Sequence, residues 1–353
     1  MEAWVVERNN EPLVHIEKPT PQPTGTEVLI EVTHAGVCHS DLHFWEGSYD
    51  LGGGRKMLLT DRGVKLPRAI GHEILGRVAA LGPDATGVRV GDRRIVYPWL
   101  GCGDCRQCRA GQDNLCLNQR SLGVMQDGGF GSHVVVPHPR YLVDPGDVDP
   151  AVAATFGCSG ITVLSAIRKV MPLEPDDVVV LVGAGGLGLA AMAMLQALGH
   201  RAIVSVDISA DKRQAALDAG ATAVVDGTRP DLTAAIIEAA GGPVYAAIDF
   251  VNGSATARAA LDALTKGGRM VQVGVFGGEL TLSLVGLIFR ATTIMGNNTG
   301  SLADLEDVAR LAREGKLAPI PVTRLPKREA NAALMRLRDG KVTGRLVLTA
   351  EAV

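Results

Sequence analysis

The stretch VVVLVGAGGLG, which begins at Val178, constrains the fold more than any other part of the chain. Its run of branched apolar residues predicts a buried strand, and the Ala-, Leu- and Met-rich residues that follow as far as Leu198 predict a helix. Between them, Gly183, Gly185 and Gly188 have the G-x-G-x-x-G spacing of a dinucleotide-binding turn. Glycine permits a tight turn and a close approach of the backbone to a pyrophosphate at the helix N-terminus.

Further strand-like runs follow this motif at regular intervals, and helical stretches separate them. Such an alternation is typical of a doubly wound parallel sheet in an α/β protein. The predicted strands are Ile203–Asp207, Ala223–Asp226, Tyr245–Val251 and Gly268–Val275.

The part of the chain before Ile161 has a different pattern, in which short β-like runs alternate with turns rich in Gly, Pro and Asp. This pattern predicts an antiparallel, barrel-like sheet. A final strand-like run, Arg345–Thr349, follows two helical stretches, and we expect it to return to this first domain. The early runs are Val28–Val32, Ile74–Leu81, Arg94–Tyr97 and His133–Pro137.

Asp207 ends the first strand after the glycine motif. A carboxylate at this place can accept hydrogen bonds from the adenosine ribose hydroxyls of NAD, and it repels the 2′-phosphate of NADP. The sequence therefore predicts NAD as the cofactor.

Composition and charge argue against several classes of protein. The 353 residues carry a net charge of −3 and contain no basic run, so we expect no nucleic-acid partner and no anionic membrane partner. The N-terminus lacks a signal-peptide core, and we find no uninterrupted apolar run of the ~18 residues that a membrane span requires. We therefore expect a cytoplasmic protein of two domains with reduced cysteines.

Four of the six cysteines lie in one short loop, GCGDCRQCRAGQDNLC. Their spacing, C-x2-C-x2-C-x7-C, can surround one tetrahedral Zn²⁺ with thiolates and leave no position for water, which is typical of a structural site. The alternative is an iron–sulfur cluster, but the ferredoxin run has a shorter gap before its last cysteine and a proline after it. The predicted ligands are Cys102, Cys105, Cys108 and Cys116.

The other two cysteines lie far apart, Cys38 in GVCHSDLH and Cys158 in GCSGITV. Between them, the motif GHEILGRVAALG supplies His72 and Glu73. Two cysteines and one histidine can hold a zinc ion that keeps a fourth position open and acts as a Lewis acid on an alcohol or carbonyl oxygen. Each of these residues alone indicates little, since lone cysteines are commonly core residues and lone histidines are commonly solvated.

With these motifs, the chain resembles the zinc-dependent alcohol dehydrogenases of the medium-chain dehydrogenase/reductase superfamily over essentially its whole length. The resemblance is most specific in CHSDLH, GHEILGRVAALG, the four-cysteine loop and VGAGGLG. It implies a GroES-like partial β-barrel as the catalytic domain, residues 1–159 and 299–353, and a Rossmann NAD-binding domain, residues 160–298. The implied reaction is the reversible oxidation of a primary or secondary alcohol to an aldehyde or ketone, with hydride transfer to NAD⁺.

The resemblance also implies the residues of the catalytic zinc site. Cys38, His72 and Cys158 match its zinc ligands, and Glu73 matches a carboxylate that approaches this metal in some states. Asp41 is similar to the carboxylate that orients the ligand histidine. Together with the structural site, two zinc ions per chain are expected.

Two further residues resemble the proton relay of the family. Ser40 matches the hydroxyl that accepts the alcohol proton, and His43 matches the group that passes this proton from the cofactor ribose to solvent. The resemblance also implies a set of positions in contact with NAD. These are His39, Thr162, Gly183, Gly185, Gly186, Leu187, Gly188, Asp207, Lys212, Val273, Val275 and Arg345.

The chain departs from the short form of the family between its CHSD and GHE motifs, where it carries additional residues. We interpret Leu51–Asp61 as an exposed loop, with a role at the entrance of the substrate pocket as the alternative. Trp45, Tyr49 and Trp99 are candidates for apolar pocket walls, with simple core packing as the alternative. They favour a medium-sized hydrophobic or cyclic alcohol as the substrate.

Three other functions are weighed against this one. A polyol dehydrogenase of the same superfamily often has a carboxylate as its third zinc ligand, so Cys158 argues against it. An NADP-linked cinnamyl-type alcohol dehydrogenase or aldehyde reductase is disfavoured by Asp207. A zinc-ribbon binding module that grips a macromolecule would need a basic face, which the sequence lacks.

The resemblance further implies a homo-oligomer, with a tetramer favoured over a dimer. The segment Leu280–Thr299 contains the apolar run LSLVGLIF and is a candidate contact between subunits. The alternative is a buried strand within the same chain. The other expected partner is a small-molecule alcohol or carbonyl substrate.

The cofactor preference can be tested with Asp207→Ser, which removes the charge that repels the 2′-phosphate. We expect the ratio of kcat/KM for NAD⁺ to that for NADP⁺ to fall at least about tenfold, which corresponds to ~1.4 kcal/mol of repulsion. Steady-state kinetics with both cofactors measure this ratio. An unchanged ratio would contradict the role of Asp207 in cofactor choice.

Overall fold

The computed structural model describes residues 1–350, in which an antiparallel, barrel-like sheet and a separate parallel sheet are the main elements. Its strands are β1 (Glu2–Val6), β2 (Val14–Glu17), β3 (Val28–Val37), β4 (Ser48–Asp50), β5 (Lys56–Leu58), β6 (Arg68–Ala69), β7 (Glu73–Leu81), β8 (Arg93–Val96), β9 (His133–Val136), β10 (Leu142–Val143), β11 (Val178–Val182), β12 (Ile203–Asp207), β13 (Ala223–Asp226), β14 (Val244–Asp249), β15 (Arg269–Gln272), β16 (Thr293–Gly296), β17 (Val322–Pro326) and β18 (Arg345–Thr349).

The helices connect these strands. They are α1 (His39–Glu46), α2 (Arg106–Arg109), α3 (Pro150–Thr155), α4 (Ile161–Val170), α5 (Gly186–Ala197), α6 (Ala210–Asp218), α7 (Leu232–Ala240), α8 (Ser254–Ala263), α9 (Leu284–Arg290), α10 (Leu302–Arg313) and α11 (Ala330–Arg338).

The six-stranded sheet is parallel throughout and has the order β13-β12-β11-β14-β15-β16. This confirms the predicted doubly wound sheet. The apolar run of β11 is almost wholly buried, as expected for a central strand of a parallel sheet. The order of the strands reverses between β11 and β14, and sheets of this type bind ligands at the carboxyl ends of the strands beside such a reversal.

The barrel-like sheet has the order β10-β8-β7-β3-β18-β17, and β9 also pairs with β3. Its pairs are antiparallel except for β17 and β18, which are parallel. The long strand β3 lies at its centre, antiparallel to both β7 and β18. The C-terminal strand therefore returns to the first part of the chain, as the sequence predicted. Because β3 and β18 are neighbours, Val37 and Leu346 lie opposite each other although they are far apart in the sequence.

The helical segment Pro150–Val170 differs from the sequence expectation. α3, a π-helical turn (Phe156–Gly160) and α4 follow one another without a break, and the Asp149 carboxylate accepts the N–H groups of Ala151 and Val152 at the start. An 18-residue stretch within these 21 residues has a mean hydropathy of 1.6, so an apolar stretch of membrane-spanning length does exist in residues 1–350. Because 83% of this stretch is buried inside the fold, its apolar composition is that of a core helix.

The apolar run in the segment Leu280–Thr299 is not a buried strand. Its residues form helix α9, and Ser283 caps this helix by accepting the N–H of Gly286. Leu284, Ile288 and Phe289 are 76%, 73% and 73% exposed. The alternative of a strand in the core is therefore wrong, and the run forms an apolar surface beside the edge strand β16.

The additional segment after Trp45 is ordered as a hairpin. Strands β4 and β5 pair in antiparallel fashion, with Tyr49 opposite Met57. Glycines at positions 52, 53 and 54 all have positive φ and form the turn between these strands. Much of this segment is exposed, but its first strand extends to the cleft described below.

Candidate active site

The cleft lies between the two sheets, at the carboxyl ends of β11, β12 and β14. A cavity of about 480 Å³ occupies it. Val182 and Val206 of the parallel sheet line one side, and Val37 and Leu346 of the antiparallel sheet line another. The two sheets thus form a single cavity at the position where doubly wound sheets bind ligands.

Three metal-binding side chains meet at this cavity. Cys38 follows β3 and precedes α1, His72 directly precedes β7, and Cys158 lies in the π-helical turn. Their ligand atoms all lie within 4.8 Å of one another, and the three residues are buried. The fold therefore brings together the three zinc ligands that the sequence suggested.

The chemistry of this cluster fits a bound metal ion. Nδ1 of His72 lies 3.0 Å from Oδ1 of Asp41, whereas the buried Nε2 has no partner within residues 1–350. A hydrogen bond with Cys158 lowers the pKa of the Cys38 thiol well below its ordinary value, against the effect of burial. A thiolate and an imidazole nitrogen without a partner are the donors that zinc prefers, and a carboxylate commonly orients such a histidine.

Asp41 holds this arrangement together. Its carboxylate accepts the N–H of Cys38 at 2.9 Å and the N–H of Gly71 at 3.1 Å, in addition to contacting His72. The side chain is fully buried. One carboxylate therefore fixes the start of α1, the residues before β7 and the orientation of the imidazole.

Glu73 does not join the three-residue cluster. Its carboxylate forms a buried ion pair with Arg345 and accepts the N–H of Ser159. Burial raises the pKa of Glu73 to about 7, although Arg345 acts in the opposite direction. Arg345 and Ser159 engage its oxygens in this arrangement, and an approach of Glu73 to the metal in other states stays a prediction.

Arg345 also lines the cavity, where it packs against the glycine turn. A Cβ added to Gly186 would overlap the Arg345 side chain. The guanidinium thus lies near the start of α5 while it is paired with Glu73. Arg345 therefore lies where the sequence predicted a contact with the pyrophosphate of NAD. Its buried ion pair with Glu73 was not predicted from the sequence.

The four-cysteine loop forms a second cluster. The Sγ–Sγ distances are 4.0 Å for Cys102 and Cys108, 3.5 Å for Cys105 and Cys108, and 3.9 Å for Cys105 and Cys116. Tetrahedral zinc with Zn–S bonds of about 2.3 Å requires Sγ–Sγ distances of about 3.8 Å. The four thiols are therefore spaced for one zinc ion, and none of these four cysteines forms a disulfide.

The backbone around this loop favours a thiolate. Hydrogen bonds from the backbone of Asp104 and Cys105 lower the pKa of Cys102 to about 6. Burial raises the pKa of Cys108 to about 12. Metal binding to such a cluster releases the protons that the more basic thiols still hold.

The glycine turn has the geometry that its motif predicts. Gly183 has a φ of 94°, and a Cβ on Gly188 would overlap the carbonyl of Gly183. The Asp207 carboxylate at the end of β12 accepts the N–H of Ala184 at 2.8 Å and that of Ser209 at 2.9 Å. Asp207 is thereby tied to the turn, and it lines the cavity.

Most of the residues that the sequence suggested for the site line the cavity. Thr162 is one of them, and its buried hydroxyl oxygen has no partner in the described part of the chain. The lining residues among the predicted set are Cys38, His39, Ser40, Tyr49, Trp99, Cys158, Thr162, Gly183, Gly185, Gly186, Leu187, Gly188, Asp207, Lys212, Val273, Val275 and Arg345.

His43 and Trp45 lie on α1 but do not line the cavity. Nδ1 of His43 is 3.2 Å from the Glu46 carboxylate, and its Nε2 is buried. Trp45 is 7% exposed, and its indole N–H donates to the carbonyl of Glu11. Trp45 is therefore a core residue and not the pocket wall that the sequence suggested, because the helix directs it to the opposite side.

Other cavity residues were missed by the sequence analysis. Phe44 lies next to His43 on α1, and Phe276 lies after β15. The polar residues Asn297, Asn298 and Thr299 directly follow β16 and also line the cavity. The sequence analysis did not predict β16; had this strand been recognised, the polar run after it would have indicated the latter group, since such residues lie at the ligand-binding edge of a parallel sheet.

Comparison with known proteins agrees with this architecture. Residues 24–145 match the alcohol dehydrogenase GroES-like domain, and residues 186–314 match the zinc-binding dehydrogenase domain. An NAD-dependent alcohol dehydrogenase of Sulfurisphaera tokodaii is 35% identical over 99% of both chains. The crystal structure of the Aeropyrum pernix alcohol dehydrogenase covers 99% of this chain and 100% of its own, with a TM-score of 0.89 and 30% identity.

A D-arabinose 1-dehydrogenase (NADP⁺) of Saccharolobus solfataricus is also similar, at 33% identity over 98% of this chain and 97% of its own.

The fold, the two clusters of metal-binding side chains and the glycine turn together define a zinc-binding, nucleotide-dependent dehydrogenase. The chain belongs to the zinc-dependent alcohol dehydrogenase family of the medium-chain dehydrogenase/reductase superfamily.

Removal of one thiol should separate the two metal sites. We expect Cys158→Ala to contain one zinc ion per chain where the wild-type protein contains two, because the four-cysteine loop keeps all its ligands. Activity should fall more than about 100-fold. Substitution of a residue that only contacts a metal ligand costs up to about 100-fold, and loss of the ligand itself should cost more. Elemental analysis measures the zinc.

The neighbouring substitution Ser159→Ala is the matched control, since its hydroxyl bonds only the carbonyl of Thr155. It should keep two zinc ions and nearly full activity. Two zinc ions in Cys158→Ala would contradict the assignment of Cys158 as a ligand.

Proposed function

We propose that this protein is a zinc-dependent alcohol dehydrogenase that oxidises a primary or secondary alcohol to an aldehyde or ketone and transfers a hydride to NAD⁺, in a reversible reaction. The observation that carries this function is the single cavity in which the Cys38, His72 and Cys158 cluster and the glycine turn meet. The protein is thus an oxidoreductase that acts on a small molecule.

We assign the catalytic zinc to Cys38, His72 and Cys158, a ligand set already known for alcohol dehydrogenases. Zinc bound there supplies Lewis acidity, which lowers the pKa of an alcohol hydroxyl. Asp41 contacts Nδ1 of His72, and this contact would leave Nε2 free to bind the metal. Ser40 lines the cavity close to this cluster, and we assign it the alcohol proton.

His43 is assigned the outer end of the proton path. Its imidazole lies on α1, the helix that also carries Ser40, and Glu46 contacts its Nδ1. The Glu46 side chain is 38% exposed, so a proton that leaves Nδ1 of His43 can reach solvent through this carboxylate. A histidine suits this task because an imidazole nitrogen can both accept and donate a proton.

We assign the cofactor to the other half of the cavity. The N-terminus of α5 and its glycines would bind the pyrophosphate, and Asp207 would accept the ribose hydroxyls. His39, Lys212 and Arg345 line the same region and supply positive charge or hydrogen-bond donors. The remaining predicted contacts, at Thr162, Val273 and Val275, would border the nicotinamide.

The substrate side of the cavity is largely aromatic. Phe44, Tyr49 and Trp99 line it, and the Trp99 indole N–H is bonded to the carbonyl of Gly157. Phe276, 70% exposed, lies at the entrance. Such walls favour a medium-sized hydrophobic or cyclic alcohol over a highly hydroxylated one.

The similarity to an NADP-dependent D-arabinose dehydrogenase supports a sugar or polyol as the second candidate substrate class. Asp207 opposes the 2′-phosphate of NADP, and Cys158 provides a thiol where polyol dehydrogenases often have a carboxylate. The aromatic walls also offer few hydrogen bonds to sugar hydroxyls. We therefore favour the alcohol over the sugar, and over a cinnamyl-type NADP-linked reaction.

We divide the chain into a catalytic domain, residues 1–159 and 299–353, and an NAD-binding domain, residues 160–298. Membership of the sheets supports this division, because β1 to β10, β17 and β18 lie outside the parallel sheet and β11 to β16 form it. Residues 351–353 of the first domain lie outside the described part of the chain. We place the protein in the cytoplasm, where its unpaired cysteines remain reduced.

We also propose a homo-oligomer, with a tetramer preferred to a dimer. Helix α9 exposes Leu284, Val285, Ile288 and Phe289, and edge strand β16 directly follows this helix. A contiguous apolar patch beside an unpaired sheet edge is typical of a contact between subunits.

The reaction is tested by initial rates with zinc-replete protein, NAD⁺ or NADP⁺, and primary, secondary, cyclic and aryl alcohols together with D-arabinose. We expect turnover with NAD⁺, fastest with medium-sized hydrophobic or cyclic alcohols. Oxidation of D-arabinose with NADP⁺ and of no alcohol with NAD⁺ would contradict the proposal and favour the second candidate.

The oligomer is tested by Phe289→Asp, which places a charge in the proposed contact. We expect the variant to have a smaller mass in light scattering than the wild-type protein, because an unpaired charge opposes burial of the patch. Val90→Asp is the matched control, since Val90 is 64% exposed and belongs to the loop between β7 and β8, outside the parallel sheet. An assembly that survives in both variants would refute the contact.

A further inference from the structure

One short segment, residues 297–300, leads from β16 of the parallel sheet to helix α10, and its first three residues line the cavity. Thr299 has a φ of 52°, a conformation that is rare for a β-branched residue and persists only where the surrounding structure imposes it. Its buried hydroxyl oxygen has no partner in residues 1–350. The segment is therefore a strained part of the cavity wall.

Asn297 ties this segment to helix α4 and to β15. Its side-chain amide donates to the carbonyl of Thr162 at 3.1 Å and to that of Thr299 at 3.0 Å. Its backbone N–H donates to the carbonyl of Gln272 at 2.9 Å, directly before Val273. Since we assign Thr162 and Val273 to the border of the nicotinamide, the segment lies beside the nicotinamide end of the cofactor site.

The other side of the segment is bound by residues at the base of the four-cysteine loop. The side-chain amide of Asn114 donates to the carbonyl of Asn298 at 2.8 Å, and the Asn298 amide donates back to the Asn114 carbonyl at 3.4 Å. The Tyr97 hydroxyl donates to the carbonyl of Gly300 at 2.8 Å. Asn114 and Tyr97 thus bind the carbonyls on either side of Thr299, the residue with the strained backbone.

Both donors are themselves held in place. Tyr97 is fully buried, and its ring stacks on Tyr141 with a centroid distance of 6.1 Å. The Tyr141 hydroxyl donates to the carboxylate of Asp113 at 2.9 Å, and the Asp113 carbonyl accepts the N–H of Cys116 at 3.1 Å. Asn114 is buried between Asp113 and Cys116 in this turn, so its position depends on the same residues that present a thiol of the four-cysteine loop.

We propose that Asn114 and Tyr97 are positioning residues for the cofactor: they hold segment 297–300 in its strained conformation and thereby shape the part of the cavity that receives the nicotinamide. The four-cysteine loop then supports the active site as well as its own part of the fold. This inference rests on the proposed function, because it presupposes that NAD lies with its nicotinamide beside Thr162 and Val273. A preorganised wall favours binding, since less conformational freedom is lost when the ligand arrives.

Asn114→Ala removes the donor to the Asn298 carbonyl and leaves every zinc ligand in place. We expect the dissociation constant for NADH, from calorimetric titration of zinc-replete protein, to rise about 5-fold, the effect of one lost hydrogen bond. ADP-ribose lacks the nicotinamide, so its dissociation constant should equal that of the wild-type protein. The zinc content should stay at two ions per chain.

Tyr97→Phe tests the second donor and keeps the buried ring, so it also serves if Asn114→Ala does not fold. It should show the same selective loss of NADH affinity. Gln119→Ala is the matched control, because the Gln119 amide donates to the Asn114 carbonyl at 3.1 Å from within the loop. This variant should bind NADH and ADP-ribose as the wild-type protein does.

An unchanged dissociation constant for NADH in Asn114→Ala or in Tyr97→Phe would overturn the role of the residue concerned. Equal weakening of NADH and ADP-ribose, or the same selective loss in Gln119→Ala, would overturn the whole proposal, because general loosening of the loop would then explain the effect. If the wild-type protein binds neither ligand, the cofactor assignment fails together with this inference. A wild-type protein that binds NADH and oxidises no alcohol contradicts only the proposed reaction.

Discussion

The arrangement of the catalytic site depends on one buried carboxylate. Asp41 accepts hydrogen bonds from two backbone N–H groups, one at the start of α1 and one before β7, and it contacts the His72 imidazole. Such a fully buried charge is tolerated only because each oxygen has partners. The same contacts join segments that are remote in sequence, so the ligand geometry is determined by the barrel before a metal binds.

A second buried charge pair joins β7 to the C-terminal strand β18. Glu73 begins β7, and Arg345 begins the last strand, β18. Since the Arg345 side chain also packs against Gly186, this pair connects the residue beside the metal ligand His72 to the turn for the cofactor. Zinc and nucleotide sites therefore share a common buried support, although they lie on different sheets.

Local patterns were sufficient to predict much of this protein. The apolar run of β11 and the glycine spacing after it define the parallel sheet, and the four-cysteine loop defines a metal site, because each signal lies within a short stretch. Cys38, His72 and Cys158 were predicted from their joint presence with these motifs and from the resemblance, since their proximity is a property of the tertiary fold. Local patterns did not reveal the partner of Glu73, which lies 272 positions away.

The lining of the cavity and the apolar surface helix were harder to predict. They depend on which way each side chain points and on how exposed it is, and a single sequence indicates both only weakly. Trp45 and Phe44 are neighbours on α1, yet only Phe44 faces the cavity, because adjacent helical residues point to different sides. The run around Leu284 has the composition of a core strand, but its helix lies at the surface. The apolar helix that contains Cys158 was not recognised, because glycines at its π-helical turn interrupt the pattern.

The position of β18 has a consequence for biosynthesis. This strand completes the antiparallel sheet between β3 and β17, and it provides the arginine that neutralises Glu73. A nascent chain on the ribosome has already released every zinc ligand and the whole glycine turn before this strand emerges. The catalytic centre is therefore completed only after β18 has been synthesised, and a chain that stops before β18 contains the ligands without the strand that pairs with β3 and without Arg345.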